Sequence, residues 1–265
     1  MVKHILSNAP GSTIFLGCRD LDAGRRVAKE LLEEGTVIPV YLDVTSSESV
    51  SAAAEAVCAE VPHLDLLCNN AGILHESFSV DSARQTMHTN FEGPILVTTA
   101  FLPMMKDGAS ILFTSSGMGA RTLGLLSAEH RDALMSPALK LPELHSLLNQ
   151  VVEELGRNTA HKYHAIPTVD YGISKMGVNL YTQMLARQYP TLFVNAVSPG
   201  FTNTGMCANY TGPRVPKEVS LGASVFTKVI FSELGHGHTG TFFKEDSKPG
   251  TPLDQAKSII DSWVQ

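Results

Sequence analysis

The 265-residue chain has no apolar run near the roughly 20 residues that a membrane-crossing helix needs. Its N-terminus lacks the basic, apolar and small-residue zones of a signal peptide, so the expected compartment is the cytoplasm. There is no excess of positive charge. A net charge of −6 gives no electrostatic reason to expect nucleic acid or an anionic membrane as partner. Paired cysteines are missing too. Cys18, Cys58, Cys68 and Cys207 form no CxxC, and Cys18 and Cys68 lie inside apolar runs, which reads as reduced, buried thiols. His236-Gly237-His238 has no third ligand nearby, so no metal is expected. Repeats, low-complexity tracts and linkers are absent, and residues 1–265 read as one domain.

What is present is an alternation. Met1, Val2, Ile5 and Leu6 have helical spacing, and SNAPGS is a turn that leads into the strand-like run TIFLGC (13–18). A helix at 21–35, a strand at 37–44, a helix at 46–61 and a strand at 64–70 follow. A long helical region covers 79–106, then a strand 109–116. After a long middle segment come a helix at 169–189, a strand at 192–200, a helix near 217–234 and a short strand at 239–243. The strands are continuous apolar runs, as in a parallel sheet covered on both faces. Repeated β-α units predict an α/β doubly wound, Rossmann-like fold. The segment 117–168 reads as an insertion. Within it, Pro142 and Gly156 punctuate a helix whose stripe is Leu144, Leu147, Leu148, Val151, Val152 and Leu155.

The chemistry is carried by residues at strand ends. YGISK puts Tyr171 and Lys175 one helical turn apart on the same face. An ammonium near a phenol favours phenolate, and a tyrosine so tuned can protonate a carbonyl oxygen during hydride transfer. By itself YxxxK also fits a chance pair on an amphipathic helix. The strand ILFTSS ends in Ser115 and Ser116, NNAG (69–72) ends a second strand, and VSPG (197–200) ends a third. Carboxyl ends of strands are where ligands bind in such sheets.

These elements, in this order, resemble the short-chain dehydrogenase/reductase family over the whole chain. The long serine-to-tyrosine insertion and TNFEGPI are similar to the monomeric carbonyl reductase branch, where the extra helix covers the surface that other members use to oligomerise; the chain is therefore expected to be a monomer. The resemblance implies Tyr171 as proton donor and Lys175 as the residue that lowers its pKa and holds the nicotinamide ribose. It implies Ser116, rather than Ser115, as the partner of the substrate carbonyl, and Asn90 as holder of a relay water. Asn70, Ala71 and Gly72 would pass the adenosine ribose, and Pro199, Gly200 and Thr204 would line the nicotinamide end. Asp43 and Val44 would meet the adenine. Arg19 directly after TIFLGC favours the 2′-phosphate of NADP(H) over the 2′-OH of NAD, with Asp20 one step later. The implied activity is NADPH-dependent reduction of a small-molecule ketone, aldehyde or quinone.

One family part is not found. The family opens with a strand and a TGxxxGxG turn that brings backbone N–H groups to the pyrophosphate. Gly11, Gly17 and Gly24 lack that spacing. The first, central strand is therefore expected to be missing, at a cost of several backbone hydrogen bonds of about 1–3 kcal/mol each where the partners are buried. Three readings remain: a truncated form of an active enzyme with impaired activity, an inactive isoform serving as a binding or regulatory module, or a chain that moves Met1–Leu6 or a neighbouring segment into the gap. A different nucleotide binder of the same fold, such as a methyltransferase, fits the Ser and YxxxK pairing poorly.

Overall fold

The computed structural model describes residues 1–157, 168–232 and 236–245. The expected alternation is there. Helix α1 spans Val2–Asn8 and β1 Thr13–Cys18; α2 follows at Leu21–Glu30, then β2 at Thr36–Tyr41. Next come α3 (Ser47–Glu60), β3 (Leu64–Asn69), α4 (Val80–Met87) and α5 (Gly93–Phe101). Strand β4 runs Met105–Thr114, then α6 (Gly117–Leu125), α7 (Ala128–Leu134), α8 (Leu141–Arg157) and α9 (Val169–Gln188). Strand β5 (Phe193–Val197), α10 (Val219–Phe231) and β6 (Thr241–Phe243) complete the order. The helix starts have local causes. The Asp20 carboxylate accepts from Ala23 N at 2.9 Å to cap α2, and Ser79 and Ser82 cap α4 reciprocally.

All strand pairs are parallel, but the strands form two sheets, β1-β2 and β3-β4-β5-β6. Among the described residues no strand joins β1 to β3. Shared helical layers hold the sheets together instead. On one face Val50, Ala53 and Val57 of α3 and Val97 and Phe101 of α5 form a core that takes up Phe15 and Val40 from the first sheet and Leu64 and Leu67 from the second. On the other face Ile5 packs with Val225, Phe226 and Val229 of α10, against Ile14 of β1 and Leu66 and Cys68 of β3. Met1–Leu6 adds no strand between β1 and β3, but Ile5 packs beside both of them. Val2–Asn8 is helical, and Ile5 and Leu6 are buried, 9% and 1% exposed. Most residues of β1 and β3 are only half-buried.

The middle segment holds more than the extra helix expected within it. It holds α6 and α7 as well as α8. Of the expected α8 stripe, Leu144, Leu148, Val151, Val152 and Leu155 are buried with Ile173 and Met176 of α9 in the main core, and Leu147 packs half-buried against it. The long helical region expected over 79–106 is helical from Val80 to Met104, as α4, a π-turn at His88–Glu92, α5 and a short 3₁₀ turn.

Candidate active site

The site assembles where β3, β4 and β5 end and α9 passes them. Tyr171 and Lys175 lie on α9. Lys175 is 2% exposed, its Nζ donates to the carbonyl of Thr114 at 2.7 Å and lies 5.4 Å from the centre of the Tyr171 ring. Burial draws its pKa down to about 8. The tyrosine departs from expectation. Burial of its hydroxyl pushes the pKa up to about 12, even though the residue keeps some accessible surface; the lowering partner is the Ser116 side chain, not Lys175. A buried ammonium that is itself destabilised, set over the ring face, does not outweigh desolvation of the phenol.

The two serines after β4 separate clearly. Ser115 is 1% exposed and donates to Asn179 Oδ1 at 2.6 Å, a buried structural bond. Ser116 caps α6 by accepting from Met118 N at 3.2 Å and also reaches Tyr171. Ser116 thus lies close enough to Tyr171 to lower its pKa.

Asn90 sits in the π-turn and is fully buried. Its side chain accepts from Ile73 N at 2.7 Å and donates to Ile73 O at 2.9 Å and to Ser174 Oγ at 3.2 Å. It pins the loop after β3 to α9. A π-turn makes this possible by turning out one residue of an otherwise regular helix. Glu92, in the same turn, accepts from His88 at 2.8 Å and from His145 of α8 at 2.6 Å. Burial raises its pKa, but the bonds from the two histidines outweigh that and leave it lowered. Gly72 lies close to this pin: a Cβ there would stand 3.2 Å from Asn90 Oδ1 and 3.8 Å from Lys175 Nζ. Asn70 and Ala71 are exposed, and Asn70 Oδ1 accepts from Thr114 Oγ1 at 2.9 Å.

A second group stands at the ends of β1 and β2. Arg19 is exposed and its charge lowers the pKa of Asp43, after the larger effect of hydrogen bonds from Thr45. Both Thr45 bonds, at 2.9 and 2.7 Å, fall on Asp43 Oδ1. Val44 packs in the core beneath, close to Gly93 at the start of α5. A third group follows β5. Gly200 has φ +77°, and a Cβ there would stand 2.0 Å from Glu245 Oε2. Lys217 pairs with that carboxylate at 2.6 Å. Pro199 O accepts from Thr202 Oγ1 at 3.3 Å, and Thr204 precedes the turn Gly205–Cys207, whose thiol lies close enough to Tyr171 to raise its pKa.

Sequence reasoning missed Thr114, Ser174, Asn179 and Asp170. Asp170 is fully buried beside Tyr171. Desolvation raises its pKa, against a 2.8 Å bond from Tyr171 N and the charge of His75. His75 Nε2 is buried without a hydrogen-bond partner among the described residues. Polar residues next to YxxxK gave the only signal for Asp170 and Ser174. Among the described residues no group of three His, Cys, Asp or Glu side chains is placed to hold a metal ion.

This geometry has known counterparts. A family profile described as short chain dehydrogenase matches residues 4–128. Carbonyl reductase (NADPH) 1 of Sus scrofa is 31% identical over 224 residues, covering 79% of this chain and 75% of that protein. The chain belongs to the short-chain dehydrogenase family. The Homo sapiens carbonyl reductase (NADPH) 1 is 30% identical over 247 residues, with 88% and 86% of the two chains covered. Among solved structures, salutaridine reductase from Papaver somniferum matches with TM-score 0.73 at 23% identity, over 91% of this chain and 93% of that one. The NADPH-bound carbonyl reductase from chicken fatty liver matches with TM-score 0.68 at 23% identity, over 94% and 92%. These structural matches establish the Rossmann-like fold. No described helix is long and apolar enough to cross a membrane.

Proposed function

We propose that the chain is an NADPH-dependent oxidoreductase that reduces the carbonyl of a small ketone, aldehyde or quinone. The observation that carries this reading is the meeting of Ser116, Tyr171 and buried Lys175 at the strand ends. The relatives named carbonyl reductase (NADPH) support the same substrate class and cofactor.

The residues fit NADPH at both ends. Asp20 is engaged as the cap of α2, which leaves exposed Arg19 to meet a 2′-phosphate, and Asp43 Oδ2 can accept from an adenine amino group. Val44, Asn70, Ala71 and Gly72 would line the adenosine, and Pro199, Gly200 and Thr204 the nicotinamide. Bound NADPH would supply the hydride. Ser116 would donate to the substrate oxygen and orient it. Tyr171, neutral over the working pH range, would deliver the proton to that oxygen as negative charge develops on it. Lys175, with a pKa of about 8, is suited to pass a proton onward. Asn90 pins the loop after β3 to α9 through its side chain and would also hold a water of the proton relay.

The open seam between β1 and β3 supports a further point. Among the described residues no glycine-rich turn stands there to cradle a pyrophosphate, and we read the turnover of this chain as lower than that of family members with a continuous sheet. The competing reading, a binding or regulatory module on a reductase scaffold, rests on the same seam. The buried α8 stripe supports a monomer.

The test is Tyr171→Phe, assayed with NADPH and an aromatic quinone. Turnover should fall by about 100-fold or more, the size of a lost general acid, with little change in NADPH affinity. Undiminished turnover would refute the assignment. Absence of both turnover and NADPH binding in the unaltered chain would favour the binding module.

A further inference from the structure

Thr114 ends β4 and makes two bonds in different directions. Its main-chain carbonyl accepts from Lys175 Nζ at 2.7 Å, across 61 positions of sequence. Its hydroxyl donates to Asn70 Oδ1 at 2.9 Å, across 44 positions. The two serines that follow point elsewhere. Ser115 turns its hydroxyl to Asn179, and Ser116 turns its own to α6 and Tyr171.

The bond to Asn70 has a directional consequence. With Oδ1 taken by the threonine hydroxyl, the Asn70 amide presents its NH₂ group, a pure donor, on an exposed residue. The far end of the same loop is held separately, because Asn90 takes both the N–H and the carbonyl of Ile73. Residues 70–73 are thus tied at two points. One tie leads through Thr114 to Lys175, the other through Asn90 to Ser174, and both end on α9.

We infer that Thr114 is a positioning residue: its hydroxyl sets the Asn70 amide while its carbonyl sets the Lys175 ammonium, so a single strand-end residue keeps the loop after β3 in register with the catalytic helix. The role in catalysis rests on the proposed function; the positioning itself does not.

Thr114→Val keeps the β-branched shape and the carbonyl and removes only the hydroxyl. Thr114→Ser restores it. The measurement is backbone amide exchange over residues 69–74 in the intact chain, beside its melting temperature and NADPH affinity. Exchange should quicken about fivefold to tenfold in Thr114→Val, the size of one lost hydrogen bond. NADPH should bind more weakly by a similar factor, and Thr114→Ser should return both to their original values. Unchanged exchange in Thr114→Val, or a serine variant as fast as the valine one, would overturn the inference. The two proposals fail differently. If the exchange contrast holds but the unaltered chain neither binds NADPH nor turns over, the functional reading fails and the positioning stands. If Tyr171→Phe abolishes turnover but exchange is flat, the reverse holds.

Discussion

Gly119 of α6 lies directly against the main chain of Lys175: a Cβ there would stand 2.6 Å from the lysine carbonyl carbon and 2.6 Å from Met176 N. The reciprocal contact is at Gly172, where a Cβ would meet Thr122 Oγ1 at 2.1 Å. The serine that begins α6 and the tyrosine on α9 therefore meet because two glycines let the helix backbones touch.

Gly119→Ala should accordingly destabilise, although alanine is the better helix former by about 1 kcal/mol. Backbone atoms cannot yield as a flexible side chain would, and overpacking of this kind costs about 1–3 kcal/mol. Urea unfolding should show a net loss of stability, together with reduced turnover as Ser116 is displaced from Tyr171. A gain in stability would mean that α6 and α9 are less closely apposed.

Lys175 makes stability depend on alkaline pH. Its folded pKa, about 8, lies below the ordinary lysine value of 10.5, so the unfolded chain binds more protons between those values. The penalty is fully present below pH 8 and fades as pH rises toward 10.5. Two and a half pH units correspond to about 3 kcal/mol at most. The stability of the unaltered chain relative to Lys175→Met should therefore improve by about 1–2 kcal/mol from pH 7 to 9.5, measured by urea unfolding at each pH. A flat difference would place the Lys175 pKa near its ordinary value.

Arg19→Ala should weaken NADPH binding by about tenfold, as expected for loss of a charge-assisted contact, and leave NADH binding nearly unchanged. Isothermal titration of both nucleotides checks this. Equal losses for both would assign Arg19 a structural role.

Leu148 is fully buried, and its Cδ1 stands 2.7 Å from where a Cβ on Gly177 of α9 would be. Leu148→Ala should cost about 2–5 kcal/mol in urea unfolding. A cost below about 1 kcal/mol would show that α8 is only loosely seated on α9.

The parallel strands were legible as continuous apolar runs, ILF in β4 because it is buried on both faces, TIFL in β1 although its residues are exposed or half-buried. Strand β4 begins earlier than its apolar part, since Met105–Gly108 carries polar residues at the open end and Lys106 pairs with Asp65. Helices α6 and α7 escaped notice because they are short and rich in glycine or charge. Ser116, Tyr171 and Lys175 could be read because type and spacing both carry chemistry. Thr114 could not, because a threonine in a strand also serves as an ordinary β-branched residue, and its two bonds depend on segments 44 and 61 positions away. The pKa of Tyr171 was not legible for a related reason. Spacing offered Lys175 as the partner, whereas the shift is decided by how deeply the fold buries the phenol, with Ser116 as the lowering group.

The most direct test is a thermal melt of the chain with saturating NADPH, with saturating NADH and with neither. A ligand that binds only the folded state adds about 2.7 kcal/mol at 100 times its Kd. The account predicts a cooperative transition that rises with NADPH and rises less with NADH. A transition unmoved by either nucleotide would contradict it, whatever the geometry of Ser116, Tyr171 and Lys175.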